Sequence, residues 1–543
     1  MCSLCIGFFT NKYYIEIDHE SFISVQGKNL LTNSGREYRI KGISFGNNVW
    51  YRPKSAPVTD HDEKSFEEIA QLGFNTVRFY INYDLFEDDD RPYEYKASGF
   101  EWLDQNIEWA KKHRIRLIIN MHVPQGGFLS RSNISFWQTE NMERFRSLWL
   151  TIAKRYQEET TILGYGLLNE PYMPYYKNPD QALNLYYSFI KDVMGDIRKV
   201  DSKHIIFLEK PYGCVNTADN EVTYPWRVTE SFQIVGDTNV AYEYHFYDKF
   251  EFTSQKQLRL PSFRDWYYGD DTRIILSGNR DWKAALDFEP IDIKTVGDWT
   301  LVTSSLLQLR DQGNTGFWYM TISNSNRENN VYIDDVTIKE YDTKGKYLRD
   351  IYQYDFGNGI SFVGSSSNTD GGQCEYDSEN GYLAPGCAKV NGVDGRYKFS
   401  ITYNDNNFFR VKDGNYYQLT LQIKTTNQSV AIIPGIQMQE IEKLYTLNKD
   451  YLESQLRNYM DWSDINNVPI YLGEFGASGY IMGNEYKGEE WVRDMFELLN
   501  QYGMHYNYHD YRDENYGLYM DDGLTGQQHK NRILYQIFKS EVK

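Results

Sequence analysis

The chain reads as an α/β protein, a (β/α)8 barrel with a β-sandwich inserted between its sixth and seventh strands. Three observations predict this. Short Val/Ile/Leu-rich runs alternate with amphipathic segments from Arg39 to Phe246 and again from Leu447 to Phe538, the pattern of βα units around a parallel sheet. Between about Arg273 and about Ile441 helical periodicity largely disappears, and turn signals with period-two alternation replace it. The strands are apolar but their C-terminal ends are polar, and in barrel enzymes those ends meet the substrate.

Taken in order, Phe22 to Tyr38 carries Gln-Gly and Asn-Ser-Gly turn signals between β-type residues, a hairpin suited to cover one end of the sheet. Arg39 to Phe45 is the first strand, Ser65 to Leu72 a short helix, and Asn75 to Tyr80 the second strand. Phe100, Leu103, Ile107 and Ala110 recur at helical spacing ahead of Arg116 to His122, the third strand. Phe145, Leu148, Trp149, Ile152 and Tyr156 mark the next helix. It leads into Ile162 to Pro171, an apolar strand that ends abruptly in an amide, a carboxylic acid and a proline. A helix on Leu183, Tyr187, Ile190, Met194 and Ile197 precedes strand five, His204 to Leu208, and Val240 to Phe246 is strand six.

In the interrupting segment Tyr417, Leu419, Leu421 and Ile423 alternate with polar residues, which points to a sandwich. Helical character returns at Leu447 to Tyr459, and Val468 to Leu472 is strand seven. Trp491, Met495, Phe496 and Leu499 form another helix, Met504 to Tyr508 strand eight, and Ile533 to Phe538 the closing helix. The expected organisation is therefore barrel over 1–272, sandwich over 273–441 and barrel again over 442–543.

With 543 residues, 41% of them hydrophobic and 24% charged, the chain is a folded protein of more than one domain. A net charge of −19 with no long basic run argues against nucleic acid, whose phosphates demand Lys/Arg clusters. A neutral or polymeric partner fits better. The 47 Tyr and 12 Trp suit the faces of sugar rings, and equally suit a β-rich fold. No apolar run reaches the roughly 18 to 20 residues that a membrane span needs. Five cysteines show no repeated metal-ligand spacing; Cys374 and Cys387 are candidates to pair, which sequence does not decide. Met1 to Phe9 is too short, and too poor in basic residues, for a complete signal peptide.

Placed side by side, the strand ends carry Arg78, His122, Asn169 with Glu170, Glu209, His245 with Tyr247, Glu474, and Tyr506 with Tyr508. Taken singly, each has a structural reading: Arg78 as a salt-bridged barrel residue, the histidines as satisfied core residues, Glu209 as a loop carboxylate. Together, carboxylates on strand ends four and seven point to general acid/base and nucleophilic work, because glycoside hydrolysis needs a Glu/Asp pair flanking the scissile bond.

Lys41-Gly-Ile, Val77-Arg78-Phe, Met121-His122, Leu168-Asn169-Glu170-Pro171, His245-Phe-Tyr247 and Tyr471-Leu-Gly-Glu474-Phe-Gly resemble family 5 of the glycoside hydrolases, the cellulase family. The resemblance covers about Phe22 to Phe250 and Asp450 to Phe538. It implies Glu170 as general acid/base and Glu474 as nucleophile of a retaining mechanism, with the carboxyl groups roughly 5 to 5.5 Å apart. It further implies that Arg78 and Tyr247 keep Glu474 ionised, that Asn169 holds the sugar 2-OH, and that His122 and His245 line the cleavage subsite. At strand eight the family usually places a Trp platform; here Tyr506 is the nearest match. His505 and His509 face alike on a strand but lie about 13 Å apart at roughly 3.3 Å per residue, too far to share a metal ion.

Asn330 to Ile338 is similar to the closing strand of jelly-roll carbohydrate-binding modules, with Trp282, Trp299, Trp318 and Tyr319 as candidate sugar platforms or as buried sandwich aromatics. The expectation is a secreted, monomeric glycosidase that acts on a β-linked polysaccharide without metal or cofactor, β-1,4-glucan ahead of β-mannan or another β-glucan. The rival from another class is a catalytically silent carbohydrate-binding protein.

Overall fold

In the computed structural model the described residues are 21–51, 56–58, 60–226, 228–257, 266–270, 274–310, 314–324, 330–356, 374–390, 395–400, 409–426, 430–521 and 528–542. The opening segment with Cys2 and Cys5 lies outside them, as do the side chains of Cys374, Trp318 and Tyr319, and with them the Cys374–Cys387 pairing and two of the platform candidates. The chain forms two compact units, 1–265 with 452–543, and 266–451. Among the described residues no helix is long and apolar enough to cross a membrane.

The first unit is a closed eight-stranded barrel. Its strands are β1 (Lys41–Phe45), β2 (Thr76–Asn82), β3 (Arg116–Val123), β4 (Ile162–Gly166), β5 (Ile205–Glu209), β6 (Val240–Phe246), β7 (Ile470–Phe475) and β8 (His505–Tyr508). Every neighbouring pair is parallel, and β8 closes onto β1 with Tyr506 opposite Lys41. Such strands are buried on both faces, which is why they read as continuous apolar runs.

The hairpin Ile23–Gln26/Asn29–Thr32 sits at the base, where Ile23 and Leu30 join Ile40, Ile118, Leu163, Phe207 and Tyr471 in one buried cluster. Each such aliphatic side chain withdrawn from water contributes about 1.5–3 kcal/mol, so the hairpin seals the end opposite the polar strand ends.

Amphipathic helices wrap the sheet: α1 (Glu63–Gln71), α2 (Ala97–Lys112), α3 (Thr139–Tyr156), α4 (Asp180–Arg198), α5 (Lys449–Asn466), α6 (Gly488–Gln501) and α7 (Arg532–Glu541). α1 begins at a reciprocal capping box, Asp62 accepting from the Ser65 backbone N–H while the Ser65 hydroxyl accepts from that of Asp62. On α3 the buried Trp149 donates its indole N–H to the Leu167 carbonyl at 3.1 Å, tying that helix to the end of β4. Between β5 and β6 the regular helix is reduced to one turn, Val228–Ser231.

Among the described residues the second unit is built of antiparallel strands in two sheets of five and seven strands. Inward residues of both, among them Phe317, Met320, Ile333, Ile338, Leu419, Leu421 and Ile436, form one core, as face-to-face sheets require. Strand Ile274–Asp287 pairs with Val430–Thr446, so the β-structure runs beyond Ile441, where the sequence pattern had placed its end. Trp282 is 62% exposed, and Trp299 is half-buried with the Lys424 ammonium over its ring.

Candidate active site

The polar residues near the ends of β2 to β7 face the barrel's C-terminal mouth, and Arg78 stands at their centre. It is fully buried on β2. One terminal nitrogen donates to Glu474 Oε1 at 2.7 Å and the other to Asn169 Oδ1 at 3.0 Å, while Nε lies 2.8 Å from Glu243 Oε1. A planar guanidinium fixes several oxygens at once in a way a lysine ammonium cannot. The neighbours of Arg78 on its own face, two residues on, are supplied by Tyr80. Its hydroxyl donates to Glu474 Oε1 at 2.6 Å, and its ring stacks on His122 at 4.0 Å and 15°.

Glu474, at the end of β7, is 5% exposed and takes a third hydrogen bond on Oε2, from the Tyr247 hydroxyl at 2.8 Å. Burial alone would raise its pKa, but the charges of His245, His509 and Arg78 outweigh burial and hold the carboxyl well below the usual range. It is an anchored, ionised carboxylate. Tyr247 is correspondingly kept neutral by burial and by Glu474, so its hydroxyl stays a donor.

Glu170 follows β4 with φ of 38°, a left-handed conformation that a non-glycine residue adopts at a cost of about 1–3 kcal/mol. That turn brings its side chain into the mouth, where it is more accessible than Glu474. Its Oε1 lies 2.9 Å from His245 Nδ1. One oxygen of Glu170, one of Glu474 and a nitrogen of His245 lie within 4.8 Å of one another. Two carboxyl groups this close match the roughly 5–5.5 Å of double displacement rather than the 6.5–9.5 Å that leaves room for a water in inversion.

Glu209, Glu243 and His245 also offer three ligand atoms within 4.8 Å, a spacing that would suit a metal ion. Arg78, with Nε against Glu243 and NH2 3.6 Å from Glu209 Oε2, already supplies a cation there. His122 is neutral: its burial pushes its pKa well below the usual value, against the pull of Glu474.

The structure thus brings Arg78, His122, Asn169, Glu170, His245, Tyr247 and Glu474 together and leaves Tyr506 out. Tyr506 packs on Phe475 and on Phe496 of α6 under the Arg39 guanidinium, in the helix layer outside the barrel. The correction is one of strand parity: Asn507 is the β8 residue that points inward, donating to Ser44 Oγ at 2.6 Å, and the next inward position is His509. His509 Nδ1 sits 3.1 Å from the Tyr80 hydroxyl. Trp50 stands edge-on to both His509 and His122, 6.0 and 5.2 Å between ring centres. Sequence reasoning passed over Tyr80 and Glu243, although each lies two residues from a named site residue on the same strand, and parity alone could have found them.

Residues 31–289 match the family model described as Cellulase (glycosyl hydrolase family 5). Endoglucanase C of Acetivibrio thermocellus is 29% identical over 201 residues, 36% of this chain and 52% of that protein. Cellodextrinase A of Ruminococcus flavefaciens is 29% identical over 222 residues, 40% of this chain and 60% of that protein. The chain therefore spans about half the length of the curated relatives it matches. Among solved structures, Cel5A of Thermotoga maritima in complex with cellobiose aligns over 92% of this chain and 96% of that one, at 15% identity and a TM-score of 0.46.

Proposed function

We propose that the protein is a retaining β-glycoside hydrolase of the cellulase family that cleaves a β-linked polysaccharide, β-1,4-glucan first among the candidates. The observation that carries the reading is the approach of the Glu170 and Glu474 carboxyl groups to within 4.8 Å, one accessible and one buried and anchored. Glu474 attacks the anomeric carbon as Glu170 gives its proton to the departing oxygen. The glycosyl ester on Glu474 is then cleaved by a water from which Glu170 takes a proton. Arg78 holds Asn169 by its Oδ1, so the Nδ2 end is presented to the sugar 2-OH, a contact that strengthens in the transition state.

The endoglucanase and cellodextrinase relatives support glucan as the backbone; mannan and other β-glucans are the rivals. Residues 266–451 act in this reading as a carbohydrate-binding module, with the exposed Trp282 as one platform, and a polymeric substrate suits a monomer working outside the cell.

Reducing-sugar release from a panel of β-1,4-glucan, β-mannan and mixed β-glucan, with NMR of the first-formed anomer, tests the activity. Release with retained configuration is expected; an inverted first product would remove the double-displacement mechanism. Glu170→Ala and Glu474→Ala should each lose most activity and be rescued by azide to products of opposite anomeric form. An unimpaired Glu474→Ala removes the nucleophile assignment. Loss of affinity-gel retardation in Trp282→Ala, with hydrolysis of short oligosaccharides intact, tests the binding module.

A further inference from the structure

The proposed reaction gives no part to His509, the inward residue that follows β8, although it is only 6% exposed and stands among the groups that hold Glu474. Four rings pack about it. That of Tyr80 lies nearly parallel, 6.1 Å between centres and 15° between planes, while those of Trp50, Tyr247 and Tyr516 turn towards it at 6.0, 6.3 and 5.6 Å and at 87°, 87° and 60°. A ring enclosed in this way keeps one orientation, so its two nitrogens have separate roles.

The role of Nδ1 follows from counting hydrogens. Tyr80 has one hydroxyl hydrogen, and it goes to Glu474 Oε1 at 2.6 Å, a carboxylate that can only accept. Towards His509 Nδ1, 3.1 Å away, the Tyr80 oxygen therefore accepts, and Nδ1 carries a hydrogen in either charge state of the ring. Ser44 Oγ, 2.9 Å from the same oxygen, is likewise a donor to it and itself accepts from Asn507. Asp510 Oδ2, at 3.9 Å, is too far from Nδ1 to take that hydrogen. Nδ1 is thus committed to the support of the nucleophile.

Nε2 is not. Among the described residues it has no hydrogen-bond partner, and it is not one of the polar atoms that the fold seals from solvent. A polar tip held rigidly beside the nucleophile, reachable and unpartnered, is placed to meet the substrate.

We propose that His509 is a specificity-determining residue whose Nε2 forms a hydrogen bond with a hydroxyl of the sugar bound over Glu474, other than the 2-OH that falls to Asn169. The proposal rests on the glycosidase reading above. Tyr506, expected as a stacking platform on β8, packs into the helix layer, so at this strand the sugar meets the edge of an imidazole and not a flat apolar face. The two surfaces select differently. A flat ring accepts any pyranose face of the right size, whereas a site built to pair with a hydroxyl rejects the sugar that lacks it, because its own polar atom is then left buried and unpaired. A sugar hydroxyl both donates and accepts, so the contact forms with the ring neutral or charged.

The test measures kcat/KM in wild type, His509→Asn and His509→Gln. The substrates are an aryl β-glycoside that the wild type cleaves and analogues in which each hydroxyl but the 2-OH of the unit next to the aryl group is removed singly. The asparagine amide falls where Nδ1 lies and keeps the Tyr80 side; that of glutamine reaches the place of Nε2 and keeps the sugar side. Wild type should lose about tenfold or more with one analogue, and His509→Gln should keep that penalty. His509→Asn should treat parent and analogue alike to within about threefold. No penalty in wild type, or an unchanged penalty in His509→Asn because parent and analogue lose activity together, would overturn the proposal. A wild type that cleaves no β-glycoside sinks the glycosidase reading instead. Nitrogen-15 NMR of the wild-type ring then judges the contact by itself, as it does if the variants fail to fold: the Nε2 resonance should move when cellobiose or mannobiose is added, and indifference to both would overturn it.

Discussion

The Tyr80 hydroxyl donates to Glu474 Oε1 at 2.6 Å and is shared with Ser44 and His509. Hydrogen bonds to the charged form of an acid lower its pKa, so Tyr80→Phe should move the acidic limb of kcat/KM upward by about one pH unit, with the stack on His122 preserved. A limb that stays put would show that Arg78 and Tyr247 alone keep Glu474 ionised. Much of the candidate site could be read beforehand, because Arg78, Asn169, Glu170, His245, Tyr247 and Glu474 are polar residues where apolar strands end. Tyr80 and Glu243 lie inside their strands, two residues from a named strand-end residue, and are reached by strand parity and not by strand ends; on β8, whether Tyr506 and Tyr508 or Asn507 and His509 face inward depends on a register that only the closed barrel sets. The same uncertainty misplaced Tyr506.

At the scale of elements, the barrel strands were legible to within a few residues because sheet burial on both faces leaves an unbroken apolar run, and the helices because they are amphipathic. The short turn between β5 and β6 was not, since one helical turn carries no periodicity. What sequence also hides is the tightness of strand packing. In β4 a Cβ on Gly164 would lie 2.1 Å from the Ile205 carbonyl oxygen of β5, a backbone atom that cannot rotate away. Gly164→Ala should therefore force the two strands apart and cost about 1–3 kcal/mol, typical of overpacking. Because the same strand delivers Asn169 and Glu170, kcat should drop along with the unfolding midpoint. Unchanged denaturation with full activity would mean that the strands can separate freely here.

For the whole molecule, the buried titratable groups set opposite slopes on the two sides of neutrality. Burial lowers His61 and His505 to about 4 from an ordinary 6.5. The unfolded chain therefore binds protons that the folded one refuses, and stability falls as pH drops from 6.5 toward 4. Glu209 is pushed up to about 8 by burial and by Glu243, against the pull of His245 and Arg78, so the folded chain keeps a proton that the unfolded one releases above 4.5. Its contribution is fully present below 4.5 and is lost as pH rises to 8. Asp510, raised by burial, and His245, raised chiefly by Glu209 and Glu474 against its own burial, act in the same sense. Each group contributes at most about 1.4 kcal/mol per pH unit. Between 4.5 and 6.5 the three buried histidines, His61, His505 and His122, outweigh Glu209 and Asp510, and above 6.5 only the losses remain, so the unfolding midpoint should peak near pH 6.5. A thermal-denaturation series from pH 4 to 9 checks this. His505→Gln should flatten the acid side and Glu209→Gln the alkaline side; a midpoint that rises steadily to pH 9 would show that the buried acids do not titrate as their surroundings require.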